Sequence, residues 1–186
     1  MIIGFIGGIG SSKTLSMTEL CYKDFIKGSR IFTNYGLRFG KNNRIEYLTA
    51  EFFDDYAKSG LDLNKAFIAI DEAHVFIDSR NSLSKRNKVM MRFVTQSRKR
   101  GVTLGYTTQD ISVMNFKQHG QVDLRLRKLT DYLVFCRYKK IGSGKNIKHI
   151  SVQDWHDQAG RPLGRKIKDL SYITGKYDTN EIVDIM

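Results

Sequence analysis

The 186-residue sequence lacks several features that mark whole classes of protein. Its single proline argues against Pro-rich linkers and long disordered segments. Its two cysteines, Cys21 and Cys136, lie far apart in apolar surroundings, so we expect buried free thiols and neither a disulfide nor a metal site. No hydrophobic run approaches the ~20 residues of a membrane span, and the N-terminus has no cleavable signal pattern. These absences predict a cytoplasmic protein with no integral membrane segment.

Acidic residues are also scarce. The chain has 31 Lys and Arg against 19 Asp and Glu, a net charge of +12. The imbalance is concentrated between residues 80 and 128. This segment contains twelve basic residues and only two acidic ones, Asp110 and Asp123, so its net charge is +10. A basic surface of this density binds polyanions, of which nucleic acid is the usual one. Few aromatic residues accompany these charges, which favours contact with the phosphates of double-stranded DNA over base stacking on single strands.

The most informative segment that is present, residues 7–14, reads GGIGSSKT and directly follows the apolar residues 1–6. A strand, a glycine-rich turn and a Lys-Thr pair opening a helix are typical of the phosphate-binding loop G-x-x-x-x-G-K-S/T. Its backbone N–H groups would cradle phosphates, Lys13 would reach the β- and γ-phosphates, and Thr14 would hold Mg²⁺. Ser12 stands where the pattern has its second glycine. The residues predicted to bind ATP are Gly7, Gly8, Ile9, Gly10, Ser11, Ser12, Lys13 and Thr14.

Strand and helix patterns alternate along the chain, which predicts an α/β fold in a single domain over residues 1–186. We expect a P-loop NTPase fold with a mostly parallel central sheet flanked by helices and a small C-terminal hairpin extension. The predicted strands are 1–6, 29–34, 65–71, 102–107 and 131–137, and the predicted helices are 13–26, 49–58 and 82–100. Residues 36–48 are expected to be irregular or a hairpin, 109–117 and 121–128 to be short helical pieces, 139–151 to be a hairpin, 160–164 to be a turn, and the tail near Asn180 to be a short helix.

Polar residues follow two of the predicted buried strands. Asp71 and Glu72 end the strand at 65–71, and Gln109 follows the strand at 102–107. The carboxyl ends of parallel strands lie along one crevice, so these residues would face the phosphate-binding loop. Asp71 would hold Mg²⁺ with Thr14, and Glu72 would act as general base on the attacking water. Gln109 would hydrogen-bond the γ-phosphate or that water, while His74 is interpreted as a neighbour of the acidic pair.

Five segments in this order resemble the FtsK–HerA superfamily of DNA-translocating ATPases: the phosphate-binding loop, the strand 30–34, the Asp71-Glu72 strand, residues 96–101 and residues 107–109. Residues 122–129 and 176–179 resemble its compact branch, which holds viral genome-packaging ATPases and zonula occludens toxin-like proteins of filamentous phages. The resemblance implies a further strand between the phosphate-loop strand and the acidic strand. It also implies a homo-oligomeric ring, a pentamer or hexamer, in which an arginine of one subunit completes the neighbour's ATP site. Arg98 matches that arginine best, with Arg127 and Arg125 as alternatives.

The resemblance favours an ATP-hydrolysing translocase that packages viral double-stranded DNA into a capsid. Such a protein would act in the host cytoplasm or on the virion, at a capsid or membrane vertex, and the basic helix 82–100 and the turn 142–145 would face the DNA. One alternative is a phage assembly ATPase of the zonula occludens toxin type, which extrudes single-stranded DNA. Another is a nucleotide-binding switch with little turnover, for which Ser12 is the main argument. The large basic segment and Glu72 argue against a small P-loop kinase.

Overall fold

A mixed sheet organises the chain in the computed structural model, which describes residues 1–40, 43–49, 52, 63–76, 88–89, 92–96, 101–109 and 124–178. The strands are β1 Ile2–Ile6, β2 Arg30–Thr33, β3 Ile45–Tyr47, β4 Ala66–Ile70, β5 Thr103–Thr108, β6 Tyr132–Ile141, β7 Lys148–Asp157 and β8 Pro162–Asp169. The helices are α1 Lys13–Ile26, α2 Ala73–Phe76 and α3 Leu124–Leu129, and a 3-10 turn spans Gly144–Asn146.

The eight strands lie in the order β3-β2-β4-β5-β1-β6-β7-β8. The six strands from β3 to β6 are parallel neighbours, whereas β7 and β8 run antiparallel to their neighbours. β5 pairs with both β1 and β4, so it is the further strand that the resemblance implied. This arrangement confirms the predicted fold class, with its mostly parallel sheet and its C-terminal hairpins.

Helix α1 has the bounds that the sequence predicted and covers one face of the parallel strands. Its residues Met17, Cys21 and Phe25 recur every four positions and are all buried, which is the spacing of one helix face. The approach to the sheet is close at Gly105 of β5, because a Cβ there would lie 3.2 Å from atoms of both Met17 and Phe67. Glycine at this position therefore allows α1 to lie close to β5.

Apolar residues fill both faces of the sheet. Side chains alternate along each strand, so Ile3 and Phe5 of β1 face α1 while Ile2 packs with the cluster on the opposite face. Residues 92–96 are helical, and within them Phe93 and Val94 are buried in that opposite cluster while Arg92 is exposed. The described part of the predicted basic helix 82–100 thus packs its apolar side on the sheet and turns a charged residue outward.

Both cysteines are buried free thiols, as the sequence predicted. Burial raises the pKa of Cys21 well above its usual value and the pKa of Cys136 to about 12. Neither thiol is ionised at neutral pH, and both serve as small apolar side chains of the core.

The structure departs from the predicted elements at several places, which include the segment 36–48, the end of β6, the helix α2 and the strand β8, which starts within the turn predicted at 160–164. Within 36–48, β3 pairs parallel with β2 and places Ile45 beside Ile31, so this segment is not a hairpin. A parallel neighbour requires the chain to return to the start of the strand, and the loop after β2 makes that return while packing Leu37 and Phe39 on the α1 side. β6 extends to Ile141, beyond the predicted 137, because it pairs with β7 along ten residues.

Other predicted elements are described in part or lie outside the described residues. The helix predicted at 121–128 is observed as α3. Phe52 is helical, and its N–H donates to Thr49 Oγ1 at 3.3 Å, as the predicted cap requires. The helical pieces predicted at 109–117 and near Asn180 lie outside the described residues.

One buried carboxylate ties the C-terminal extension to α1. Glu19 is 1% exposed; its Oε2 accepts a hydrogen bond from Lys168 Nζ at 2.8 Å, and its Oε1 accepts one from Tyr172 Oη at 3.2 Å. Lys23 pairs with the same carboxylate from the next turn of α1. Burial alone would raise the pKa of Glu19, but the hydrogen bonds and charges of Lys168 and Lys23 outweigh it and hold the pKa below its usual value. The ion cluster therefore stabilises the folded state as long as Glu19 is ionised.

We expect Glu19→Gln to lower the free energy of unfolding at neutral pH by about 1–3 kcal/mol, because two ammonium groups lose a buried charged acceptor. The depressed pKa also fixes the pH dependence. The stabilisation is present above the ordinary carboxyl pKa of 4.5 and is lost as the pH falls through the lower folded-state pKa. Wild type should thus lose more stability on acidification than Glu19→Gln. Urea unfolding at neutral pH and at several values below 4.5 measures both effects.

Glu46→Gln is the matched control. Glu46 pairs with Arg30 at 2.6 Å, but the side chains of Arg30 and Glu46 are 38% and 40% exposed. Such a pair contributes less than about 1 kcal/mol. Equal destabilisation by the two substitutions would contradict a special role for the buried cluster.

Candidate nucleotide site

The glycine-rich turn lies between β1 and α1, at the carboxyl edge of the parallel strands. Gly7 has a φ of 155°, and a Cβ there would lie 2.8 Å from the Cys136 carbonyl oxygen and against Ser11 Oγ. Only glycine fits this approach of the loop to β6. The Ser11 N–H then donates to the Gly8 carbonyl at 3.2 Å, which closes the turn. The loop ends at the N-terminus of α1, where backbone N–H groups and the helix dipole favour an anion.

Lys13 and Thr14 open α1 and face the interior of the site. Lys13 is 6% exposed, and its Nζ donates a hydrogen bond to the Gly8 carbonyl oxygen at 2.9 Å. Thr14 Oγ1 donates to Asp71 Oδ1 at 2.8 Å. A buried ammonium group beside a backbone anion cradle suits a polyphosphate. The structure thus brings the loop and the acidic strand together, as the motif spacing predicted.

Ser12 replaces the pattern's second glycine by adopting the conformation that glycine would have. It is the residue that precedes α1, with φ 72° and ψ 21° in the left-handed region. Its Oγ donates to Ser151 Oγ at 2.9 Å, and Ser151 Oγ also lies 2.9 Å from Ser16 Oγ. The three hydroxyls connect the loop and the first turn of α1 to β7. The strain of a left-handed serine is therefore offset in part by a hydrogen bond that glycine could not make.

Asp71 is the point at which four elements meet. Its Oδ1 accepts hydrogen bonds from Thr14 and, at 2.5 Å, from Thr107 Oγ1 at the end of β5. The Asn34 side chain, which follows β2, locks the Asp71 backbone by accepting from its N–H at 2.7 Å and donating to its carbonyl at 2.9 Å. Two threonines thus hold the carboxylate of Asp71 and an asparagine holds its backbone, and the three side chains come from three neighbouring segments.

Burial is the largest influence on the ionisation of Asp71 and raises its pKa. The two threonine hydrogen bonds and the Lys13 charge lower the pKa again, and the adjacent Glu72 charge raises it, so that the pKa lies above its usual value. A buried carboxylate in this position gains from a cation. Together with the Thr14 hydroxyl, it offers oxygen ligands of the kind that Mg²⁺ binds.

Glu72 lies one residue beyond Asp71 in a left-handed conformation with φ 49°. Its N–H donates to Thr107 Oγ1 at 2.9 Å, and its Oε1 accepts from Gln109 Nε2 at 3.2 Å. Its Oε2 lies 3.3 Å from His74 Nδ1, off the line of a hydrogen bond. A left-handed non-glycine residue is a strained feature that is typical of functional sites. The structure therefore places Glu72, Gln109 and His74 in contact, on the same edge as the loop.

The arginines predicted to complete a neighbour's site are placed differently. Arg127 is in α3 and is 3% exposed, so its guanidinium lies inside the single chain and does not extend from its surface. This placement does not suit a residue that must reach a neighbouring subunit. Arg98 and the side chain of Arg125 lie outside the described residues.

Sequence reasoning missed several residues of the site. Thr107 contacts both Asp71 and Glu72, although only Gln109 was singled out from its strand end. A hydroxyl at the end of the strand next to the acidic strand is the signal that would have identified Thr107. Asn34 and Ser151 carry no such signal, because their contacts depend on the pairing of strands far apart in the sequence.

A cavity of about 370 Å³ adjoins the loop. One side is formed by residues 10–15 of the loop and α1. The other side comes from β6, β7 and the segment after β8, and it consists of Tyr138, His149, Thr174, Gly175 and Tyr177. The C-terminal extension therefore contributes a wall to the site.

Two features are absent from the described residues. They contain no cluster of three or more His, Cys, Asp or Glu side chains arranged to hold a metal ion. In the same part of the chain, every helix is too short or too polar to cross a membrane.

Comparison with protein families gives one match. The family model for zonular occludens toxin (Zot) matches residues 1–168, while no curated protein matches the chain. The solved N-terminal domain of zonular occludens toxin from Neisseria meningitidis superposes with a TM-score of 0.60 at 19% sequence identity. The alignment covers 95% of this chain and 98% of that one.

Viral packaging enzymes share the fold as well. The genome packaging NTPase B204 from Sulfolobus turreted icosahedral virus 2, solved with ATP-gammaS, has a TM-score of 0.56 at 12% identity, with 90% of this chain and 96% of that chain covered. The DNA-packaging ATPase B204 from Sulfolobus turreted icosahedral virus has a TM-score of 0.55 at 14% identity, with the same coverage. At these identities the likeness shows a common fold.

Substitutions at Ser12 separate its strain from its hydrogen bond. We expect Ser12→Ala to lower the free energy of unfolding by about 1 kcal/mol, because it loses the bond to Ser151 and keeps the left-handed conformation. Ser12→Gly also loses the bond but removes a backbone strain of about 1–2 kcal/mol, so its stability should equal or exceed that of wild type. Urea unfolding of the two variants measures the difference.

Ser143→Ala serves as the control, because Ser143 is exposed and has extended backbone angles. It should change stability by less than about 0.5 kcal/mol. Equal destabilisation by Ser12→Ala and Ser12→Gly would show that the left-handed conformation carries no strain.

Proposed function

This chain belongs to the zonular occludens toxin family, and from that membership and the geometry of the site we propose that it hydrolyses ATP to move DNA during virus or phage assembly. The observation that carries the proposal is the meeting of the phosphate loop and the acidic strand at Asp71, where Thr14 Oγ1 lies 2.8 Å from Asp71 Oδ1. Two motifs that lie 57 residues apart in the chain share one hydrogen bond. That pairing puts a phosphate-binding loop beside a buried carboxylate, which is the arrangement that suits a nucleotide with its metal.

The residues fit a nucleoside triphosphate with Mg²⁺. The buried Lys13 ammonium is held by the Gly8 carbonyl and can exchange that oxygen for a phosphate oxygen. Ser11 Oγ is buried without a hydrogen-bond partner in the described residues, next to the same loop. Thr14 and Asp71 would hold Mg²⁺, which when bound would neutralise phosphate charge. The fit thus covers both the anion and the cation.

Glu72 is proposed to be the general base. Its carboxylate would accept a proton from the water that attacks the γ-phosphorus, as the bond from that phosphorus to the ADP oxygen breaks. Gln109 Nε2 donates a hydrogen bond to Glu72 Oε1, so Gln109 would orient the carboxylate. A change in the protonation of Glu72 would in turn alter this bond at the end of β5. Thr107 Oγ1 bonds both the Glu72 N–H and Asp71 Oδ1, and this shared contact supports the proposed pairing of a base at Glu72 with a metal ligand at Asp71.

Basic residues supply the proposed contact with DNA. The segment between residues 80 and 128 carries a net charge of +10, and within it Lys88 and Arg92 are exposed. Lys148 is exposed beside the hairpin turn at 142–145. Contacts of this kind go to phosphates, so binding should fall steeply with salt and depend little on sequence. The proposed assembly is a homo-oligomeric ring, a pentamer or hexamer, working at a capsid or membrane vertex.

The kind of DNA distinguishes two versions of this motor. The scarcity of aromatics in the basic segment supports duplex DNA, as in genome packaging. Family membership supports the phage assembly version, in which the DNA is single-stranded. Both versions require the same hydrolytic site and differ in the polymer that stimulates it.

We expect the purified protein to hydrolyse ATP, and the rate to rise with DNA. Glu72→Gln should lower the rate by about 100-fold or more while ATP binding persists, because it removes the base and keeps the shape of the side chain. Steady-state phosphate release with and without duplex or single-stranded DNA, at two salt concentrations, measures the rate, and equilibrium titration measures binding.

Glu46→Gln provides the control, since Glu46 lies in an exposed ion pair on β3. Its rate should equal that of wild type. Full activity in Glu72→Gln would contradict the assigned base. Stimulation by duplex alone would favour packaging, and stimulation by single strands alone would favour phage assembly.

A second candidate function is a nucleotide-binding switch with little turnover. The observation that favours it is the left-handed serine in the loop, at a position where the pattern has glycine. A serine side chain there alters the surface that the phosphates meet. Nucleotide binding without turnover in wild type, together with turnover in Ser12→Gly, would establish the switch.

We expect Arg98→Ala to lower the ATPase rate by about 100-fold or more if Arg98 stabilises charge on a neighbour's γ-phosphate. Mixing Arg98→Ala with Glu72→Gln should restore part of the rate, because one of the two kinds of mixed interface then contains both an intact Glu72 and an intact Arg98. Arg161→Ala, at an exposed arginine that pairs with Asp157 outside the basic segment, is the control and should leave the rate unchanged. A mixture no more active than its components would contradict action between subunits.

A further inference from the structure

We propose that the cavity beside the phosphate loop binds the base and ribose of the nucleotide, and that Tyr138 and His149 recognise the base. This inference rests on the proposed function, since it deepens the account of the same site. It assigns a role to the C-terminal extension, which none of the sequence motifs covers.

The position of the cavity supports this assignment. Lys13 and Thr14 line it, and in the proposed site Lys13 contacts the phosphates while Thr14 holds Mg²⁺. Its volume of about 370 Å³ lies in the range of small-ligand sites. A ligand whose phosphates occupy the loop would therefore extend into this space. The occupant must be continuous with the phosphates, which points to the rest of the nucleotide.

The chemistry of the far wall suits a heterocyclic base. Tyr138 Oη and His149 Nδ1 are 2.7 Å apart, and the two ring centroids lie 5.9 Å apart with an interplanar angle of 39°. Aromatic rings that are half-buried stack on bases. Because Nδ1 is engaged with Tyr138, His149 Nε2 is the ring nitrogen left for the edge of a base, and within the described residues no protein atom hydrogen-bonds it. One pair of residues thus offers both stacking and a polar contact.

The wall is held firmly by the segment after β8. The Arg38 N–H donates to the Lys176 carbonyl at 2.7 Å, and the Asp178 N–H donates to the Gly36 carbonyl at 3.1 Å. These bonds position Tyr177, whose ring packs edge-on against the buried Tyr35 at a centroid distance of 6.3 Å.

Apolar contacts hold the same segment from the other side. Leu170 and Ile173 are buried against Leu15 of α1. Because both ends of the segment are fixed to the nucleotide-binding core, the cavity is formed by the fold itself. Because the wall is preformed, ligand binding does not have to offset the conformational entropy that would be lost if the wall became ordered only on binding.

The test compares nucleotide with its phosphate chain alone. Equilibrium titrations measure the Kd of ATP and of tripolyphosphate for wild type and His149→Ala. We expect His149→Ala to weaken ATP binding about tenfold through lost stacking and hydrogen bonding, and to leave tripolyphosphate binding unchanged. His149→Phe keeps a ring and should recover part of the lost ATP affinity.

His156→Ala is the matched control, because His156 lies on the same strand but packs against Phe135, outside the cavity lining. It should change neither Kd, and thermal melts of all variants check that they fold. Unchanged ATP affinity in His149→Ala would overturn the inference, as would an equal loss of ATP and tripolyphosphate binding. A wild type that binds both ligands equally would overturn it while leaving the phosphate site intact. A wild type that binds neither would overturn the proposed function as well.

Discussion

The buried carboxylate of Asp71 is the constraint on which the rest of the site depends. An ionised group at this depth requires hydrogen bonds, and it obtains them from Thr14 and Thr107. The Asn34 side chain fixes the backbone at the same residue. Thr14 follows β1, Thr107 lies near the end of β5 and Asn34 follows β2, so the carboxyl edges of the parallel strands are aligned around a single residue. Burial is the largest cause of the raised pKa of Asp71, and the hydrogen bonds and the Lys13 charge compensate it only in part. A bound cation with its phosphate partner would add the positive charge that stabilises the ionised carboxylate.

The antiparallel extension is part of the same machinery. Ser151 of β7 hydrogen-bonds Ser12 and Ser16, which connects the loop to the extension through buried hydroxyls. About one turn further along the same face of α1, Lys168 of β8 reaches the buried Glu19. The helix that follows the phosphate loop is therefore bonded to the hairpins as well as packed on the parallel strands. The turn at 142–145, which is proposed to contact DNA, belongs to the same hairpins.

Ser12 illustrates how a departure from a motif can be accommodated. A serine in the left-handed conformation destabilises the fold by about 1–2 kcal/mol, and the partly buried hydrogen bond from Ser12 to Ser151 stabilises it by about 1 kcal/mol. The two effects nearly cancel, so the substitution changes the surface of the loop more than its stability. The consequence for turnover depends on phosphate contacts, which is why the motor and the switch make different predictions for Ser12→Gly.

Local patterns in the sequence were enough to predict the phosphate loop, α1, the buried strand β4, the acidic pair and the C-terminal hairpin, because each depends on residues close together in the chain. The resemblance to a family of ATPases is confirmed by the match over residues 1–168, and the position of β5 between β1 and β4 followed from that resemblance. Only the tertiary structure decided that β3 pairs in parallel with β2, that Thr107 and Ser151 belong to the site, and that Arg127 is buried. It also placed Tyr138 and His149 beside Lys13 in one cavity. These contacts join residues from strands that are distant in the chain, and their geometry is set by sheet order and register. A one-residue change in register would turn the side chains on the strands, such as Thr107 and Ser151, to the opposite face of the sheet.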